Sequence, residues 1–183
     1  DRTVSAENIL IATGGRPNPH AALPGHHLCL SSNDVFDLPR LPKSIIIEGG
    51  GYIAVEFASV FAGLGSQVTL VYRGKEILSR FDNDLRAGLH RGLEARGVTI
   101  LTQTVLENVH RGRDGLLHVR HSGGASISAE EVLLAVGRLP NTEGLGLDRA
   151  GVETDALGAI TVDACSRTSQ PNIYAVGDAV EVR

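Results

Sequence analysis

An α/β fold is predicted, built as a three-layer unit from a parallel sheet, helices and an antiparallel β-meander. Three observations point to it. Two β-branched runs, SIIIE at 44–48 and QVTLVYR at 67–73, each lead into a stretch with helical spacing. Continuous apolar strands of this kind belong to parallel sheets covered on both faces. A third apolar run at 98–101 completes the order strand–helix–strand–helix–strand, which requires crossovers and therefore parallel pairing. Beyond it come short alternating runs punctuated by Gly112, Gly115, Gly123 and Gly124, the pattern of successive hairpins.

Taken in order, residues 7–12 (ENILIA) read as a short buried strand entering the turn cluster Thr13-Gly14-Gly15-Arg16-Pro17. Residues 18–42 form a connecting segment in which Pro39 and Pro42 stop any long helix. After the strand at 44–48, a helix is predicted over 52–64. Ile53, Val55, Phe57, Val60, Phe61 and Leu64 supply its apolar positions, and Gly63 and Gly65 its stop. The strand at 67–73 follows. Asp82 then caps a second helix to 96, with Leu85, Leu89 and Leu93 on one stripe and Gly97 ending it. The meander occupies 105–110, 116–121 and 125–128, and residues 131–136 return as a buried strand. The remainder reads as loops with short strands at 159–163 and 172–176.

Composition sets the outer bounds. The chain has 183 residues and a formal charge of −4, a balance that argues against nucleic acid or an anionic membrane as partner. No run approaches the roughly 18 apolar residues of a spanning helix. Cys29 and Cys165 stand far apart, which fits a reducing, cytoplasmic setting and excludes a disulfide scaffold. No metal-ligand spacing is present. Methionine is absent even at position 1, so an excised segment of a longer protein is expected. His26, His27, His110, His118 and His121 read as solvent-facing, and no histidine stands at a suggestive spacing from a carboxylate.

Gly49-x-Gly51-x-x-Ala54 sits between a strand and a helix, the Rossmann-type context that gives this pattern meaning. The first glycine permits a tight turn, the second lets backbone approach a pyrophosphate, and Ala54 allows close helix–strand packing. First-turn N–H groups and the helix dipole then face the phosphates. A ligand-free turn is the alternative. NAD-binding units place an acid about 20 residues beyond the glycines. Here that place holds Tyr72, followed by Arg73, Lys75 and Arg80. Guanidinium groups bind a 2′-phosphate that an acid would repel, so NADPH is the expected coenzyme. Glu76 complicates this, since a mobile loop could swing it toward a ribose. At the flanks, Ala12-Thr13-Gly14-Gly15 and Ala175-Val176-Gly177-Asp178-Ala179 are either ordinary turns or points where backbone approaches a second cofactor, with Asp178 accepting from its hydroxyls.

These pieces together resemble the pyridine-nucleotide disulfide oxidoreductases, and the bacterial glutathione reductase branch most of all. The residues that carry the resemblance are ILIATGGRP (9–17), GGGYIAVEFASVFAGLG (49–65), LVYRGKEILSRFD (70–82), AVGRLPNTEGLGL (135–147) and IYAVGDA (173–179). The resemblance implies a flavoenzyme that passes hydride from NADPH to FAD, then to an active-site disulfide, then to glutathione disulfide, in a homodimeric parent. It places Gly50, Ile53 and Glu56 on the nicotinamide side and Tyr52 as an aromatic lid over the flavin face. Arg73 and a second arginine, Arg80, hold the 2′-phosphate; Gly137 and Arg138 lie near the nicotinamide. Thr13, Gly14 and Asp178 contact FAD. It further implies an FAD-domain remnant at 1–15, an NADPH domain at 16–138 and a returning FAD-domain segment at 139–183. Three departures stand out. Glu48 occupies a place the family fills with a small or apolar residue. The second arginine falls one position later than in many relatives, which carry it where this chain has Ser79. The CxxxxC segment, the FAD glycine loop and the His-Glu pair are absent, so no catalytic residue is expected here and the segment alone should be inactive. A related flavin disulfide reductase of trypanothione or mercuric type, and a stand-alone NADPH-binding module, are the competing readings.

Overall fold

The computed structural model describes residues 3–180. Its strands, in chain order, are β1 (Ile9–Ile11), β2 (Gly15–Pro17), β3 (Ser44–Glu48), β4 (Gln67–Val71), β5 (Thr99–Leu101), β6 (Leu106–Arg111), β7 (Leu117–His121), β8 (Ser126–Ala129), β9 (Glu131–Leu134), β10 (Arg138–Pro140) and β11 (Ile173–Ala175). The helices are α1 (Tyr52–Gly63) and α2 (Asn83–Ala95). The chain divides into two compact units, Pro17–Gly137 and a smaller one made from the two flanks.

In the larger unit β5, β4, β3 and β9 form, in that order, a wholly parallel sheet. Strand alternation sends Ile45 and Ile47 to one face, where they meet Ala54, Val55, Ala58 and Phe61 of α1 and Leu93 of α2. Ile46, Val71, Val132 and Leu134 point the other way, onto Leu106, Val109, Leu117 and Val119 of the antiparallel β6-β7-β8 meander. That two-sided burial is why residues 44–48 read as unbroken apolar sequence. Each fully buried isoleucine contributes about 1.5–3 kcal/mol. The layers are therefore helices, parallel sheet and meander, an α/β Rossmann-type unit.

Both helices end as their sequence dictates. The Asp82 carboxylate accepts from the N–H groups of Asp84 (3.0 Å) and Leu85 (3.3 Å), satisfying donors that the first turn leaves open. Gly97 follows the helix with φ +85°. The stripe of α2 is only partly buried: Leu93 is enclosed, whereas Leu85 is 59% exposed. The 18–42 segment is more ordered than its composition indicates. It holds two short 3-10 turns, and Leu30 lies beside β9, bonding Val132 O (2.7 Å) and Leu134 N (2.9 Å).

In the smaller unit β1 pairs in parallel with β11, and β2 lies beside β10. Its core is Val152, Ile160, Ile173 and Ala175. Two expectations are corrected here. Residues 159–163 form no strand; Ile160 makes only isolated bridges to Thr154 and Val180, because the neighbouring segments bond to it only locally. Conversely, residues 15–17 are a strand rather than a turn, the neighbouring β10 supplying the partner that local sequence does not reveal. No described helix is long and apolar enough to cross a membrane.

Candidate functional site

The loop between β3 and α1 is shaped by its glycines. Gly49 has φ +146°, and a Cβ there would lie 2.4 Å from the Ala135 carbonyl oxygen. That oxygen belongs to backbone, so only glycine fits. The same imagined Cβ comes within 3.2 Å of Ala54 Cβ, and Ala54 is fully enclosed, which draws helix and strand together. Gly51 is the reverse case. It is the N-cap residue of α1, in extended conformation, with no side chain capping the helix, and a Cβ added to it meets nothing within 4 Å. The start of α1 is thus open beside Gly51 and uncapped by any side chain, an arrangement that favours an anion.

Gly50 packs against an aromatic wedge. The Tyr72 ring lies where Cβ atoms on Gly50 and Gly74 would stand, at 2.4 and 2.5 Å, so two glycines hold the ring between them. The loop after β4 folds back: Leu78 N–H donates to Gly50 O at 2.6 Å, and Leu78 takes φ +54° to do so. A bulky residue in the left-handed region signals a backbone held by its surroundings. Arg73, Lys75 and Arg80 are exposed on and just beyond this loop. Among the described residues, none of the three enters an ion pair. Glu76, by contrast, is engaged by Arg86 of α2 at 3.1 Å, which holds its carboxylate back from the loop mouth. Tyr52 is 54% exposed at the start of α1. Ile53 is half-buried beside it, and Glu56 is exposed one turn further along.

Other candidates lie elsewhere. Gly137 ends the larger unit with φ +118° and accepts from Asn18 N–H at 3.0 Å. Arg138 begins β10 in the smaller unit. Its Nε stands 3.4 Å from the Asp178 carboxylate, and its Nη2 donates to Gly15 O. Gly15 leaves that pair room, since a Cβ would come within 3.1 Å of Asp178 and 3.3 Å of Arg138 Nε. Thr13 O and Gly14 O accept from Asn141 Nδ2 (3.3 Å) and Asn141 N (2.9 Å).

The histidine reading needs correction. His121 is 7% exposed, and its Nδ1 accepts from Gly123 N–H at 3.1 Å. His118 lies 3.0 Å from the Asp114 carboxylate across the hairpin turn. His20 Nδ1 meets Glu48 Oε2 at 3.1 Å, and Glu48 Oε1 accepts from Leu106 N–H at 3.2 Å. Glu48, an acid inside an apolar strand, therefore closes two hydrogen bonds on the meander side of the sheet. Its partner lies 28 residues upstream, beyond any local spacing. Burial holds the Glu48 carboxyl above the usual range, opposed by the Leu106 N–H, His20 and Arg73. Burial and the Glu48 charge push the Cys29 thiol up to about 12. Among the described residues, no three His, Cys, Asp or Glu side chains are grouped to hold a metal ion.

Residues 1–183 match the family model for pyridine nucleotide-disulphide oxidoreductases. The chain is 49% identical over 177 residues to a glutathione reductase of Burkholderia cepacia, covering 96% of this chain and 39% of that protein. It is 43% identical to a trypanothione reductase of Leishmania donovani, covering 96% and 36%. Among solved structures, the HOCl-induced flavoprotein disulfide reductase RclA of Escherichia coli superposes with a TM-score of 0.90 at 32% identity, covering 96% of this chain and 40% of that one. The chain therefore spans about two fifths of the length of these relatives.

Proposed function

The chain belongs to the pyridine nucleotide-disulphide oxidoreductase family, and we propose that it is the NADPH-binding portion of a flavin-dependent glutathione-disulfide reductase. One observation carries the reading: the uncapped start of α1 lies behind a glycine turn that admits no side chain at Gly49, and just past the end of β4 Tyr72 fills the place where an NAD-binding unit carries an acid, followed by Arg73. These residues fit the coenzyme. The N–H groups following Gly51 would take the pyrophosphate, and Arg73 the 2′-phosphate, with Arg80 assisting from the loop that Leu78 ties to Gly50. Tyr52, Ile53 and Glu56 would border the nicotinamide. When bound, the dihydronicotinamide supplies a hydride, destined in the whole protein for FAD and then a disulfide.

The smaller unit would contribute to the FAD site through Thr13, Gly14 and Asp178, the exposed Asp178 carboxylate suiting a hydroxyl-bearing ligand. Arg138, on this reading, orients Asp178 rather than meeting the nicotinamide. Residues 17–137 would be the coenzyme domain and the flanks parts of the flavin domain. In the whole protein the substrate would be glutathione disulfide. The 43% identity to a trypanothione reductase supports a second reading in which the disulfide is that of trypanothione, and assay of the parent protein with both disulfides separates the two. Coenzyme identity is tested by titration calorimetry of this chain. A hydrogen bond to a charged group contributes about 1.5–3 kcal/mol, so NADPH should bind roughly 10- to 150-fold more tightly than NADH. Equal affinities would contradict the assignment.

A further inference from the structure

Glu48 is 5% exposed and adjoins the glycine loop, yet it does not face the open space before α1. Its alternation with Ile46 turns it to the meander side, where His20 and Leu106 N–H take its two oxygens. His20 adopts φ +51° to reach it, in a turn closed by Asn18 Oδ1 on His20 N (2.9 Å) and Leu23 N on His20 O (2.8 Å). A non-glycine residue in that region is sustained by its surroundings, and here they end on one carboxylate. Strand register adds the second fact. Glu48 is paired with Val71 of β4, and Val71 lies on the same face of the sheet. Arg73 follows two residues beyond Val71, so the cation assigned to the 2′-phosphate lies just past the strand position paired with the buried acid, and its charge pulls the Glu48 carboxyl down against burial.

We propose that Glu48, held by His20, is a specificity-determining residue whose negative charge moderates the grip of Arg73 on a 2′-phosphate. The proposal rests on the NADPH reading above. Arg73 binds phosphate through its full positive field, and an ionised carboxylate behind it cancels part of that field. Coupling is reciprocal: a phosphate dianion seated on Arg73 withdraws the charge that favours ionised Glu48, and the carboxyl then holds its proton more tightly. The charged groups facing Glu48 are His20 and Arg73, and the Glu48 charge in turn pushes the Cys29 thiol up.

The test compares wild type and Glu48→Gln by titration calorimetry with NADPH and with NADH. An interaction of this partly screened kind corresponds to about a two- to five-fold change. Glu48→Gln keeps an acceptor for Leu106 N–H and should tighten NADPH by that factor while leaving NADH within error. A loosened fold would instead weaken both coenzymes together, and equal changes for both overturn the proposal. Should Glu48→Gln not fold, isotope-edited NMR of the Glu48 carboxyl carbon in wild type decides. Its titration midpoint should rise further with NADPH bound than with NADH bound, and identical midpoints overturn the proposal. If wild type does not distinguish the coenzymes, the NADPH reading falls and this inference with it. If wild type distinguishes them but Glu48→Gln leaves the ratio unchanged, only this inference falls.

Discussion

Gly49→Ala and Gly51→Ala should fail in opposite ways, although only Gly50 separates the two glycines. At Gly49 the new methyl would lie 2.4 Å from Ala135 O with φ at +146°. A left-handed conformation costs an L-residue roughly 1–2 kcal/mol, and overpacking against an unyielding neighbour adds about 1–3 kcal/mol. The sum, about 2–5 kcal/mol, is a large part of the stability of an ordinary domain. With a urea slope of about 1–3 kcal/mol per molar, the unfolding midpoint should fall by on the order of 1–2 M. At Gly51 the methyl meets nothing within 4 Å, and alanine is merely a poorer N-cap, costing about 1 kcal/mol or less. That methyl would, however, occupy the space before the α1 N–H groups, so NADPH affinity should drop by about tenfold or more, the share of a charge-assisted bond. Far-UV circular dichroism in urea reads the first effect, and calorimetric titration with NADPH the second. A Gly49→Ala variant as stable as wild type would refute the steric argument. A Gly51→Ala variant with wild-type affinity would refute the placement of the phosphates.

Arg73→Ala should erase most of the preference for NADPH over NADH and Arg80→Ala a smaller part, because Arg73 lies nearer the end of β4; paired calorimetric titrations measure both. Asp82→Ala should destabilise the larger unit by about 1 kcal/mol, seen as a lower urea midpoint, since two amides lose their acceptor. At pH 8 one thiol should react quickly with a chromogenic disulfide and one slowly. Cys165 is exposed, whereas Cys29, pushed up to about 12, stays protonated until the pH rises towards that value; two equally fast thiols would contradict this.

What could be read from the sequence follows from how local each cause is. Strand 44–48 is sandwiched between two layers, so its apolar run declares it. The glycine loop is legible because the need for it, a φ that only Gly49 adopts and an enclosed Ala54, lies within six residues. Caps such as Asp82 and Gly97 act within one turn and were equally plain. Features set by distant partners were not. Residues 15–17 become a strand because β10 lies beside them, and residues 159–163 do not because their neighbours meet them only around Ile160. Glu48 was conspicuous as an acid in an apolar run, but its reason is His20, brought there by an irregular segment with no periodicity to read. Likewise Arg138 and Asp178 come from far-apart segments, and only their closure over Gly15 pairs them.

The most direct test of the coenzyme site is a crystal structure of this chain with NADPH bound. The account predicts the pyrophosphate against the Gly49–Gly51 turn, on the first N–H groups of α1, with the 2′-phosphate in hydrogen-bonding range of Arg73. A coenzyme seated away from that turn, or one whose 2′-phosphate points into solvent clear of Arg73, would contradict it.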